Sequence, residues 1–174
     1  MKKRILHEMP ISKPAHGLRS VVLLLFSLTL IVDLSFAQIP PDRDVLLNGE
    51  GAGQGAYAEF HGYPGPKHVL DLAKELQLKE DQKKNVQAIY DEMATRAKEL
   101  GQHIVQIEEE LDGAFRQGLV VEKSVRDDSE EIGRLRGRLK SIHLIAHMKT
   151  RKVLTDAQVL LYKKLRQEPK KQKH

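Results

Sequence analysis

Residues 79–115 read KEDQKKNVQAIYDEMATRAKELGQHIVQIEEELDGAF. Within this stretch Val86, Ile89, Met93, Ala97, Leu100, Ile104, Ile107, Leu111 and Phe115 recur at steps of three and four. A helix of 3.6 residues per turn brings such positions onto one face, so the spacing predicts one amphipathic helix from Lys79 to about Phe115, roughly 50 Å long at 1.5 Å per residue. Gly118 breaks it. Downstream, Ile132, Leu135, Leu139, Ile142, Ala146 and Lys149 repeat the rhythm and mark a second long helix starting near Ser124. Two long amphipathic helices joined by a short turn lie antiparallel. The expected fold class is therefore all-α: a long antiparallel helical hairpin with short flanking helices at both ends. Such a hairpin leaves apolar surface uncovered. It also gathers acids at its tip (Glu108, Glu109, Glu110, Asp127, Asp128) and bases toward its open end (Arg138, Lys140, Lys149, Arg151). Acids at a helix start and bases toward its end suit the helix dipole, and an antiparallel homodimer would lay each acidic tip over the other subunit's basic end. A homodimer is expected.

Beyond the second long helix, Leu154-Thr155-Asp156-Ala157-Gln158 is a helix start with a mechanism. Thr155 can cap, Gln158 can reach back to it, and Leu154 can staple onto Val159. An upstream echo, Leu78-Lys79-Glu80-Asp81-Gln82, keeps the leucine and the glutamine but puts lysine at the cap, which should cap more weakly. Before it, Tyr63-Pro64-Gly65-Pro66 forms a rigid turn, and a short helix is expected from about His68 to Leu76. Residues 38–62 carry Pro40-Pro41, then Gly49, Gly51, Gly53 and Gly55, and read as a flexible leader. The run Gly51 to Ala56 spells a nucleotide-binding fingerprint, but no strand precedes it and no parallel-sheet pattern follows, so it is read as linker. Residues 63–167 form the helical domain and 168–174 a basic disordered tail.

The N-terminus carries Lys2, Lys3, Arg4, Lys13 and Arg19, runs apolar from Val21 to Val32, and reaches Ser35-Phe36-Ala37. Basic region, apolar region and small-x-small site together read as a secretory signal over residues 1–37, cleaved after Ala37. An uncleaved anchor is the alternative, and only that would bring membrane contact. The apolar run is about a dozen residues, short of the ~20 that span a bilayer comfortably. Cleavage would leave about 137 residues, enough for one small domain, and lower the formal charge from +5 to about +2. A nucleic-acid partner is discounted, because phosphate binding needs a concentrated basic face. The chain has no cysteine. Nucleophile–base motifs are also missing, and a thin hairpin encloses little, so the chain is not expected to be an enzyme.

With Leu154, Thr155 and Gln158 matching an LTxxQ motif fully, and Leu78 and Gln82 matching it except for Lys79, residues 60–166 resemble the Spy/CpxP-like family. That family comprises periplasmic heavy-metal-resistance and sensor proteins and envelope-stress chaperones. The resemblance implies a kinked, dimerising helical hairpin in the periplasm, acting in envelope protein quality control or in metal sensing.

His143 and His147 stand four apart on the second long helix, so both rings project from one face, as two nitrogen ligands of a metal ion require. The same stripe also reads Arg136, Lys140 and Arg151, whose charges oppose a metal cation, so that the stripe alone reads as a solvated basic face. A turn centred near residue 119 would set His143 near Thr95 and His147 near Asp91, with Glu92 and Glu99 close by as oxygen ligands. The resemblance makes His68, Asp91 and His143 or His147 counterparts of family metal ligands, although His68 stands alone on the first helix where family sensors have two histidines. A divalent transition metal ion (Zn, or Cu, Ni or Co) is the expected ligand, and unfolded envelope proteins are the alternative partner. Met93, Met148, Tyr90 and Phe115 sit at or beside seam positions and are expected in the core.

Overall fold

The computed structural model describes residues 39–51 and 53–167. The stretch 1–37, read as a secretory signal, and the stretch 168–174, read as a tail, lie outside these residues. Among the described residues there are six helices and no strand: α1 Arg43–Asn48, α2 Ala56–Phe60, α3 Pro66–Asp71, α4 Glu80–Gln117, α5 Glu122–Val153 and α6 Asp156–Gln167. The chain is all-α, and no described helix is long and apolar enough to cross a membrane.

The seam read from the sequence builds α4. Val86, Met93, Ala97 and Ile104 are buried along it. It ends where Gly118 takes the left-handed conformation (φ 67°) that side chains resist, directing its N–H back to the carbonyls of Ala114 and Phe115. After residues 118–121, Ser124 Oγ donates to the Val121 carbonyl (2.9 Å) and α5 begins. The two long helices pack against each other, and the ion pairs Glu92–Lys149 (2.7 Å) and Glu108–Arg136 (3.5 Å) run in opposite senses along them. Phe115, near the end of α4, is 57 % exposed, and Met148 is 53 % exposed. Of the residues expected in the core, these two lie outside it. Met93 is buried and Tyr90 half-buried.

Apolar packing falls into two clusters. One joins Leu46 to Ala97, Ile104 and Val105 of α4 and to Leu135 and Leu139 of α5. The other gathers Val69, Leu76, Val86, Leu154, Val159 and Tyr162 where α3, α4 and α6 meet. Leu154 and Val159 thus share one cluster, as the staple requires.

The two motif glutamines lock that second cluster together. Gln158 completes the cap of α6: its Oε1 accepts from the Thr155 N–H (3.0 Å), while its own N–H donates to Thr155 Oγ1 (3.2 Å). At α4 only half a box forms, Gln82 Oε1 accepting from the Lys79 N–H (3.1 Å), because an ammonium offers no acceptor. The two carboxamides also pair reciprocally, at 2.9 and 3.1 Å. Their remaining protons reach the carbonyls of Val153 (2.8 Å) and Leu76 (3.2 Å), tying four segments at one point.

Where the sequence reads as a flexible leader, the structure has α1 and α2 docked on the long helices. Leu46 of α1 is 2 % exposed inside the first cluster. It gets there because α4 carries Gly101 beneath it: a Cβ at that position would lie 2.0 Å from the Leu46 carbonyl oxygen. Asp42 and Arg136 form a two-pronged ion pair (2.7 and 3.1 Å), and Arg43 reaches Glu109 (2.9 Å). The Arg136 guanidinium, by hydrogen bond first and then by charge, holds the Asp42 carboxyl below its usual range. The short helix expected from His68 to Leu76 is α3, which starts two residues earlier at Pro66 and gives way to turns after Asp71.

Candidate metal-binding cavity

The cationic stripe of α5 is buried at its two histidines, while Lys140 stays exposed. His143 is 4 % and His147 8 % exposed, and each of the stripe's other members has a partner. Arg136 holds Asp42, the Lys140 ammonium lies 5.6 Å from the centre of the Tyr57 ring, and Arg151 takes Asp156 and the Leu154 carbonyl. Over the two imidazoles run the glycines. A Cβ on Gly51 would lie 3.1 Å from His143 Nδ1, and one on Gly55 only 2.2 Å from His147 Nε2. From the Gly55 position the two neighbouring ring carbons are 2.7 and 2.9 Å away. In the ring plane they would stand about an ångström farther than the nitrogen, so Gly55 covers the face of the ring and not its edge; a Cβ on Gly65 would lie 3.0 Å from Cε1 and 3.2 Å from Nε2 of the same ring.

That edge is already oriented. His147 Nδ1 lies 2.7 Å from the Tyr63 carbonyl oxygen. A carbonyl only accepts, so Nδ1 carries a proton, and in the neutral ring Nε2 then holds the lone pair. His68 is held the same way, with Nδ1 2.5 Å from Glu59 Oε1. Burial alone would raise the Glu59 carboxyl. Hydrogen bonds from His68 and from the Tyr162 hydroxyl (2.9 Å), with the charges of His68 and Arg166, outweigh that and hold it at about 2. It is ionised at neutral pH, so His68 Nδ1 is the donor, and the neutral ring would offer Nε2 to a metal ion. Tyr162 is pushed well up from its ordinary value, by burial first and then by the Glu59 charge. In His143, Nε2 is buried without a hydrogen-bond partner, and burial together with the neighbouring His147 pushes the ring's pKa down. An unpaired buried nitrogen of this kind costs about 1–3 kcal/mol.

His68, His143 and His147 line one cavity of about 580 Å³, with Glu59, Glu50 and Tyr90. Asp91 is not among its walls. It lies on the exposed side of α4, takes the Gln87 carboxamide (2.8 Å), and borders a separate shallow cavity with Thr95 and Lys98. The register explains the difference: the cross-helix pair Glu92–Lys149 sums to 241 and Glu108–Arg136 to 244, whereas Asp91 opposite His147 needs 238. Glu92 is taken by Lys149, and Glu99 lines a groove bordered by Ile89, Met93 and Ile145. The acidic group at the histidines is instead Glu59, which lies in the stretch read as leader.

The chain matches no known family model, no curated protein and no solved structure. Its chemistry is therefore argued from its own residues. Among the described residues no group of three or more His, Cys, Asp or Glu side chains stands close enough together to hold a metal ion as placed. The three imidazoles nevertheless suit a metal ion in kind, and two of them are anchored as metal ligands commonly are. Metal-ligating histidines characteristically donate the second ring N–H to a carboxylate or a backbone carbonyl, as His68 does to Glu59 and His147 to Tyr63.

Proposed function

We propose that the chain is a periplasmic metal-binding accessory or sensor protein of the heavy-metal-resistance type, built on an antiparallel helical hairpin and acting as a homodimer. Export rests on the basic, apolar and small-residue order of residues 2–37. The two LTxxQ-like motifs support the family reading: they start α4 and α6, and their glutamines bond to each other. The observation that carries the metal reading is the state of the ring nitrogens. His68 and His147 present Nε2 with Nδ1 anchored, and His143 keeps a buried Nε2 unpaired, all on one cavity. His68, His143 and His147 would hold the ion, with Glu59 and the Tyr63 carbonyl orienting them. A divalent transition metal ion supplies a positive centre that prefers neutral imidazole ligands, and no turnover is required of it. Isothermal calorimetry of the purified chain with Zn, Cu, Ni and Co tests this. Saturable binding that disappears in His143→Ala plus His147→Ala is expected, whereas no saturable heat, or heat indifferent to that double substitution, refutes it.

A second reading, an ATP-independent holdase for unfolded envelope proteins, draws on a different surface. Tyr57, Tyr63, Leu144 and Met148 border an apolar groove, with Phe60 82 % exposed nearby. Exposed apolar surface of this kind is what an unfolded client would meet. Suppressed aggregation of several denatured clients at near-stoichiometric amounts without metal is its expected outcome, and no effect on any of them removes it.

A further inference from the structure

Two groups of exposed apolar side chains stand at opposite ends of the hairpin, and only one of them carries cations without acids. At the tip Phe115, Leu119 and Val121 are exposed, but the charges beside them are paired within their own helices, Asp112 with Arg116, Glu122 with Arg126 and Lys123 with Asp127. At the open end Tyr57, Phe60 and Tyr63 stand out on and around α2, beside Leu144 and Met148 of α5. Lys140, Leu144, Met148 and Lys152 follow at four-residue steps, so they share one face of α5 over about 18 Å, an apolar pair between two lysines. Lys163 of α6 reaches the same patch, since a Cβ on Gly62 would lie 2.9 Å from its Nζ. Among the described residues no carboxylate borders the apolar groove, and neither Lys152 nor Lys163 is paired with one.

The aromatic side of this patch is held firmly. Glu59, the one acid of α2, is turned inward to His68, the Tyr162 hydroxyl (2.9 Å) and Arg166 (3.4 Å), and Pro64 and Pro66 are buried. α2 buries none of its residues, so this anchorage presents its aromatic rings to the outside and not to a core. Fixed aromatic and aliphatic side chains ringed by lysines match the boundary of a bilayer, where rings lie at headgroup level, apolar side chains enter below it and lysine ammoniums stay at the phosphates. We infer that this face docks on an anionic phospholipid surface. Phe60, Leu144 and Met148 enter the acyl boundary, Tyr57 and Tyr63 lie among the headgroups, and Lys140, Lys152 and Lys163 meet the phosphates. The contact is made by the helical body, apart from residues 1–37, and does not depend on the metal cavity. An unfolded client protein would use the same groove, and the lysines without acids favour the lipid.

The chain has no native cysteine, so a single environment-sensitive fluorophore is placed at His61→Cys in the patch or at Ser129→Cys toward the tip, both exposed. The purified chain is titrated with vesicles of phosphatidylcholine alone and of phosphatidylcholine mixed with phosphatidylglycerol, and circular dichroism melts establish that each variant is folded. Residues 1–37 are common to all samples, so the comparison reads the patch. The expected result is a blue shift at position 61 with the anionic vesicles only, and none at position 129. Lys152→Gln plus Lys163→Gln should weaken binding about 30-fold, about fivefold for each lysine. Phe60→Ser should weaken it about 10–100-fold, and Leu119→Ser at the tip should leave it unchanged. No response to either vesicle, a response at both positions, equal binding of the two vesicle types, or binding indifferent to Phe60→Ser or to the lysine pair overturns the inference. A shift at position 61 with a denatured client protein and none with anionic vesicles also overturns it, and gives the groove to unfolded protein.

Discussion

Replacing Gly101 by alanine gives opposite signs under two descriptions of α4. If Gly101 were an ordinary glycine inside an exposed helix, alanine would stabilise the chain by about 0.8–1 kcal/mol through backbone entropy. In the structure the new Cβ would stand 2.0 Å from the Leu46 carbonyl oxygen and 2.6 Å from its carbon. Those atoms are backbone and cannot swing away, so α1 has to lift. Leu46, now 2 % exposed, would then return to water at a loss of about 1.5–3 kcal/mol. The ion pairs Asp42–Arg136 and Arg43–Glu109 would go too, but both are partly exposed and add little. Against the propensity gain, the net is a destabilisation of about 0.5–2 kcal/mol, bounded above by the free energy of docking α1. Urea unfolding followed by far-ultraviolet circular dichroism reads the sign. Gly133→Ala and Gly137→Ala on α5 are the controls, because a Cβ there meets nothing within 4 Å, and each should gain about 0.8–1 kcal/mol. A Gly101→Ala chain as stable as those controls would refute the docking of α1 on α4.

Two further outcomes follow from the same contacts. A double-mutant cycle on Gln82→Ala and Gln158→Ala should return a coupling of about 0.5–1.5 kcal/mol, since the carboxamides bond reciprocally; additive losses would mean that the two helix starts are independent. Asp42 has its folded carboxyl below the unfolded value of about 3.9, so its contribution is fully present above that pH and is lost as pH falls through the lower folded value. The urea midpoint should therefore decline below about pH 4, and Arg136→Gln should flatten that limb; an unchanged slope in the variant would show that the pair does not act on stability.

The long helices were legible because their signals are local. The seam of α4 from Val86 to Ile104 needs only a period, Gly118 needs only its lack of a side chain, and the Thr155–Gln158 box lies within four residues. The second helix was half legible. Leu135, Leu139 and Ala146 of its seam are buried, but Ile142 and Lys149 were read into it as well, whereas the structure buries His143, His147 and Thr150. A period alone does not say that a second element covers a neighbouring stripe. Counting in fours from Leu135 through Leu139, His143 and His147 does reach both histidines, and that phase was the available sign that they lie inside. Asp91 lies away from the histidines for a different reason, since a shift of a few residues in the assumed register moves a side chain to another face of its helix.

The leader was misread because glycine carries two opposite meanings. In a chain without partners it marks freedom, and Gly49, Gly51, Gly53 and Gly55 at alternate positions read as a linker on that ground. Against a flat imidazole it marks close approach, because any side chain at Gly55 would drive into His147. The two meanings separate only when the surface opposite is known, and here that surface lies more than eighty residues away in sequence. The same separation hid Glu59, whose partners His68, Tyr162 and Arg166 come from two other helices. A cationic stripe on a long helix and a glycine-rich stretch with scattered acids and tyrosines are each unremarkable alone. Read together they are complementary: Asp42 for Arg136, Tyr57 for Lys140, and bare backbone for the faces of His143 and His147. That complementarity is what turns a charged helix face into the wall of a cavity.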